Sequence, residues 1–177
     1  VTIETAPSIT DQPDDVSACP EDQKAFSVTA SGTSPGYQWY HDGNEISGAT
    51  SSTYTDFNVQ PIDAGNYTCV ASNNCGSETS NIATLTVNDP LTLTADPTDE
   101  TVCDGDNASF SVSATGTAPI TYQWQISGDG GATWSDMAGQ TSSTLNFTAD
   151  LDDHNDVVRC KLGNICTSTL YSQDAKV

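Results

Sequence analysis

The sequence is short of positive charge. Lysine and arginine together number 4 against 24 aspartates and glutamates, a formal net charge of −20. A surface of that sign repels phosphate backbones and anionic lipid, so nucleic acid is excluded as a partner. No apolar run approaches the roughly 20 residues that cross a bilayer as a helix, and membrane insertion is not expected. The first residues lack the basic and then apolar pattern of a cleavable leader, so an export signal would have to precede this stretch. Histidine is scarce: His41 and His154 are the two present. Neither lies in a nucleophile motif, both read as exposed turn residues, and no HExxH, CxxC, phosphate-binding loop or dinucleotide fingerprint occurs. A non-catalytic chain without a cofactor is therefore expected. Helical spacing never extends beyond about a turn, which leaves an all-β chain.

What is present is repeated. AFSVTASGTSPGYQWY at 25–40 matches SFSVSATGTAPITYQW at 109–124, and GATSSTYT at 48–55 matches GQTSSTLN at 139–146. CVASNNCGS at 69–77 matches CKLGNICTS at 160–168, so Cys19, Cys69 and Cys75 correspond to Cys103, Cys160 and Cys166. Two copies of one module follow, over 1–88 and 89–177. Within each copy, Phe26, Val28 and Ala30 alternate with Ser27 and Thr29, as Phe110, Val112 and Ala114 do with their neighbours; that is the period of a half-buried strand. Turn signals recur at short intervals, as in a β-sandwich. Asp56 and Phe57 interrupt the alternation after Tyr54, which predicts a bulge there.

Trp39 follows the first strand across a turn, and DAGNYTC at 63–69 fits D-x-G-x-Y-x-C. On these residues the chain resembles two tandem immunoglobulin-like β-sandwiches, similar to the I-set-like modules of large secreted and surface adhesin-type proteins of bacteria, the Bacteroidota type in particular. The resemblance implies that Trp39 and Trp124 are the core tryptophans of strand C. Tyr67 would be the corner tyrosine, and Val28 and Val112 would be core residues of strand B. The second copy departs from the pattern at Val158, where the corner tyrosine should stand, and a less pinned corner is expected there. Residues 1–3 align with the end of strand G and read as the tail of a preceding module; the short Pro-containing join at 88–91 reads as a stiff linker.

The resemblance also poses a cysteine problem. The usual bridge runs from strand B to strand F; Cys69 and Cys160 occupy the strand F positions, but valines occupy strand B. Three arrangements stay open. Cys19 could pair with Cys166 across the module junction, leaving Cys75 and Cys103 for neighbouring modules. First and third cysteines could pair within each module. Or a bridge could use Cys69 or Cys160, which in the first two schemes are buried thiols. Six cysteines in such a chain point to an oxidising, extracellular or cell-surface location.

The stretch SGDGGATW at 127–134 fits S-x-D-x-G-x-T-W, the Asp-box hairpin of sialidases and other glycan-active propellers. Here it reads as a folding device, with Trp134 as the candidate for stacking on a sugar. The clusters at 11–15, 96–100, 104–106 and 150–156 offer hard oxygen ligands that suit Ca²⁺, with Asp89 and Glu21 or Asp22 as a junction set. They read first as solvated surface. The expected role is a structural spacer in an acidic extracellular repeat array or fibre, held by neighbouring modules or like subunits. The second expectation is an adhesive module for a glycan or protein ligand.

Overall fold

Alternation of apolar and polar residues decides the strands. Phe26 is 2% exposed and Val28 4%, while Ser27 and Thr29 face solvent; Phe110 and Val112 repeat this at 1% and 4%. The computed structural model describes residues 2–177. Of the stretch 1–3, Val1 lies outside the described residues, and Thr2 and Ile3 are exposed and outside any strand. The chain divides into two compact units, residues 1–88 and 89–177.

Unit 1 runs β1 (Ser8–Asp11), β2 (Val16–Ala18), β3 (Lys24–Ser27), β4 (Thr29–Ser31), β5 (Gly36–His41), β6 (Asn44–Glu45), β7 (Thr53–Asp56), β8 (Gly65–Asn73), β9 (Gly76–Thr79) and β10 (Ala83–Val87). β1 pairs with β4 and β3 with β7 as two two-stranded sheets; the third sheet is ordered β2-β10-β8-β5-β6, with β9 also on β8. Strand B is thus split at Val28, whose amide leaves the ladder for the Ser52 carbonyl at 2.9 Å. The bulge expected at Asp56 is absent: β3 and β7 pair in unbroken register from Ser27↔Thr53 to Lys24↔Asp56. The irregularity lies in β1, between Ile9 and Asp11. Phe57 simply ends the strand and stands 74% exposed.

Unit 2 runs β11 (Thr92–Ala95), β12 (Asn107–Ser111), β13 (Ser113–Thr115), β14 (Thr121–Ser127), β15 (Ser135–Asp136), β16 (Thr144–Thr148), β17 (Val157–Gly163), β18 (Leu170–Tyr171) and β19 (Ala175–Lys176). Its sheets pair β11 with β13, β12 with β16, and β15-β14-β17-β18, with β19 also on β17.

Each core is built round one tryptophan. Trp39 and Trp124 are fully buried, and each indole N–H donates to a carbonyl at 2.9 Å, Ser51 and Ser142 respectively. A buried indole needs that partner. Phe26 stacks on Tyr67 at 4.5 Å between centroids. Cys69 and Cys160, both fully buried, pack beneath the tryptophans as apolar groups. Their amides are capped by the hydroxyls of Ser80 and Ser172, each at 2.9 Å.

Candidate functional site

The functional candidates gather at the ends of the units and on one face of unit 2. At the end where each unit's chain comes in, an asparagine ties the F–G turn to the incoming segment. Asn73 Nδ2 donates to the Thr5 and Thr33 carbonyls, both at 2.8 Å, and Asn164 Nδ2 to those of Asp89 and Thr117 at 2.9 and 3.1 Å. The same two asparagines accept, through Oδ1, the amides of Cys75 at 2.8 Å and Cys166 at 3.0 Å. Sequence reasoning missed this device, although the signal was there: an asparagine stands two residues before the third cysteine in both copies. Glycine is required beside it. Gly32 and Gly116 adopt φ of 105° and 144°, and a Cβ would lie 2.7 Å from the Ala6 carbonyl oxygen at Gly32 and 3.0 Å from the Pro90 oxygen at Gly116.

At the opposite end of unit 1, β2 lies parallel to β10 with Ala18 beside Val87, so Cys19 follows directly on the end of strand G. The Ala18 carbonyl accepts the Asn88 amide at 2.8 Å. The Cys19 amide donates to the Asp22 carboxylate at 3.0 Å, and Lys24 approaches the same carboxylate at 3.9 Å. In unit 2 the equivalent Cys103 is exposed and lines a 190 Å³ cavity with Val102, Leu151, His154 and Val177. Cys19 and Cys166 are disulfide-bonded, whereas Cys69, Cys75, Cys103 and Cys160 are thiols. Burial pushes the Cys69 and Cys160 thiols up to about 11, so neither is a nucleophile at neutral pH.

The histidines part company. His154 is exposed, as read from sequence, but His41 ends β5 and stacks on Tyr67 at 4.7 Å between centroids, so it is partly buried. Flat rings on adjacent strands attract one another, and that contact draws the imidazole inward.

The SGDGGATW hairpin closes on itself. Asp129 accepts from Thr133 Oγ1 at 2.6 Å, from the Thr133 amide at 2.8 Å and from Ser127 Oγ at 2.7 Å. These bonds, led by the Thr133 hydroxyl, hold the Asp129 carboxyl down at about 2. Trp134 donates its indole N–H to the Gly131 carbonyl at 3.0 Å and is half-buried. Its ring carries the Arg159 guanidinium at 4.0 Å, and Tyr171 takes the same cation at 4.2 Å. Arg159 Nε donates to Gln125, which donates to Asp136 at 2.7 Å. One face of the indole suggested for sugar stacking is thus already occupied. Arg159, Tyr171 and Gln125, which build this stack, come from three separate strands, β17, β18 and β14, and sequence spacing gave no sign of them.

The acidic clusters are used locally. Asp15 accepts the Thr84 amide at 2.7 Å, Asp96 the Gln173 amide at 2.7 Å and Asp99 the Lys176 amide at 2.9 Å. Thr84 lies in β10 and Lys176 in β19, while Gln173 lies between β18 and β19. Asp150 and Asp153 cap the corner turn at 151–153. Among the described residues no three carboxylates, cysteines or histidines converge on a metal position.

Residues 6–73 match the family described as "Immunoglobulin domain", and residues 94–177 match a domain of unknown function, DUF8696. Roundabout homolog 1 of Rattus norvegicus is 30% identical over 96% of this chain, which spans 11% of that protein's length. The highly immunogenic outer capsid protein of Enterobacteria phage T4 is 31% identical over 80% of this chain and 42% of its own. Sidekick-1 immunoglobulin domains 1–4 superpose with a TM-score of 0.67 at 17% identity, covering all of this chain and 50% of that one. The protein is a tandem of immunoglobulin-like β-sandwiches whose residues 6–73 match the immunoglobulin domain family.

Proposed function

We propose that the chain is a non-catalytic spacer segment of an extracellular immunoglobulin-repeat array of the bacterial surface type, holding neighbouring modules or like subunits in line. The observation that carries this is the duplication of the end device. Each unit uses an asparagine, a glycine and a turn cysteine to fix the end where its chain comes in. Repeat arrays need that rigidity at every junction. The phage relative is by name an outer capsid protein, and a surface role for this chain accords with it. A disulfide persists outside the cell, which supports that location. Imaging of the native protein tests the reading: filaments with a module-length repeat support it, and discrete particles that capture a ligand overturn it.

The second reading is an adhesive module. It is favoured by the Trp134–Arg159–Tyr171 ladder, which puts aromatic surface and a cation on one open sheet of unit 2. Glycan-array binding lost in Trp134→Ala would support it; unchanged binding would remove it.

A further inference from the structure

The outer face of the β15-β14-β17-β18 sheet in unit 2 departs from the charge of the rest of the chain. In β17, Cys160 and Leu162 point into the core, so Arg159 and Lys161 share the outer face, about 7 Å apart at strand rise. They are two of the 4 basic residues in the sequence. Among the described residues neither makes an ion pair, although the chain carries 24 acidic side chains. Gln125 holds one carboxylate off: its Oε1 accepts from Arg159 Nε at 2.9 Å, and its Nε2 donates to Asp136 at 2.7 Å. The guanidinium is fixed by that bond and by the rings of Trp134 and Tyr171 at 4.0 and 4.2 Å. Among the described residues no acceptor meets its two Nη groups.

Unit 1 is an internal control. Trp39 pairs with Cys69 as Trp124 pairs with Cys160, and Val70 pairs with Thr79 as Lys161 pairs with Tyr171. The places of Arg159, Lys161 and Tyr171 are therefore taken in unit 1 by Thr68, Val70 and Thr79. The same module forms without either cation or either ring, so the stack is not a requirement of the sandwich. A guanidinium already held in one orientation has little freedom left to lose when an anion meets it.

The surroundings choose the anion. The guanidinium fork pairs with a carboxylate through two parallel bonds. Beside it, Lys161 lines a 220 Å³ cavity with Thr121, Gln123 and Ser168, neutral polar groups that suit sugar hydroxyls. Tyr171 is 44% exposed and offers a ring to a sugar face. The net charge of −20 repels a dense polyanion such as an acidic peptide, whereas that repulsion is screened beyond about 8 Å at physiological salt for a ligand of low charge density.

We propose that this face of unit 2 binds a carboxylated saccharide. Its carboxylate accepts from the Arg159 Nη groups, Lys161 supplies the second positive charge, and a sugar ring lies against Tyr171. The covered face of Trp134 is not the contact; the indole holds the cation in place. The proposal rests on the adhesive reading and names its ligand.

Tetragalacturonic acid is the probe, titrated at low salt into the isotope-labelled chain and followed by NMR, with its methyl ester as the uncharged control. Saturable shifts are expected at the Arg159 Nε–H and along β14, β17 and β18, with none at Thr68 or Val70, and the ester should give none. Arg159→Ala should weaken binding about tenfold or more, the scale of a lost charge-assisted bond. Lys161→Ala should weaken it about threefold and leaves the Arg159 stack intact, so the proposal remains testable if Arg159→Ala does not fold. Equal shifts with the ester that vanish in Trp134→Ala would overturn the proposal and keep the adhesive reading. Silence toward both probes, or undiminished binding by folded Arg159→Ala or by Lys161→Ala, would overturn it as well. Tetraglutamate bound as tightly as the sugar acid would replace the saccharide with an acidic peptide.

Discussion

Tyr67 reaches back along its own chain: its hydroxyl donates to the Asp63 carbonyl at 2.8 Å, across the corner that leads into β8. Its ring is 2% exposed and burial raises its phenol well above the usual tyrosine value, so the proton is held. Tyr67→Phe keeps the ring and deletes one bond. It should destabilise unit 1 by about 1 kcal/mol, the net worth of such a bond, and leave unit 2 unmoved. Residue-resolved amide hydrogen exchange separates the two; a change spread equally over both units would contradict the assignment.

The equivalent corner of unit 2 shows how far sequence reading reaches. Val158 stands where Tyr67 does in unit 1 and is fully buried. The missing hydroxyl was legible, but the turn capping that both units share was not: Asp153 accepts the Asp150 amide at 3.0 Å as Asp63 accepts the Gln60 amide at 2.7 Å. Asp150 and Asp153 each accept an amide across the 151–153 turn, and those acids looked like solvated surface. The all-β sandwich was readable because alternation at Phe26 and Phe110 is a local signal with a fixed period. The bulge was misplaced because Asp56 and Phe57 are the end of a strand, and an ending breaks alternation as a bulge does. The Arg159 ladder was invisible because Trp134, Arg159 and Tyr171 meet only through the pairing of β14, β15, β17 and β18.

The Asp129 hairpin should resist acid. Its carboxyl is held below the ordinary range, so the order it confers is complete above the ordinary carboxylate value near 4 and is lost as pH falls through about 2. The Thr133 amide should therefore stay protected at pH 3.5 and lose protection near pH 2, as followed by NMR. Asp129→Asn should expose that amide at neutral pH, while the melting temperature moves by no more than about 2 °C, since the site is a surface turn. An amide equally protected in the variant would show that the carboxylate does not close the turn.

Alkali should act on the buried thiols. Cys69 and Cys160 are raised by burial from an ordinary thiol to about 11. The folded state then holds protons that the unfolded state releases. Stability is fully present below about 9 and is lost as pH rises through 11. The loss is roughly 1.4 kcal/mol per thiol for each pH step between those two values. Cys69→Ala and Cys160→Ala should flatten the alkaline limb of a urea-midpoint profile measured from pH 8 to 11, although each leaves a cavity that lowers the whole curve. A limb as steep in the double variant would assign it to other groups.

Trp134 is the accessible indole of the chain, because Trp39 and Trp124 are fully buried. Acrylamide quenching of tryptophan emission therefore reports on Trp134. With the guanidinium 4.0 Å above its ring, one face is shielded. Arg159→Ala removes the shield and leaves Gln125 Oε1 without its donor. It should steepen the quenching plot and destabilise unit 2 by about 1 kcal/mol, the scale of an exposed cation–π contact with one hydrogen bond. Arg159→Lys retains the charge but not the planar fork, and should fall between the two. Trp134→Phe should leave a nearly flat plot, which confirms the reporter. If Arg159→Ala quenches as the parent does while Trp134→Phe goes flat, the indole face is open in solution and the adhesive reading gains the surface it requires.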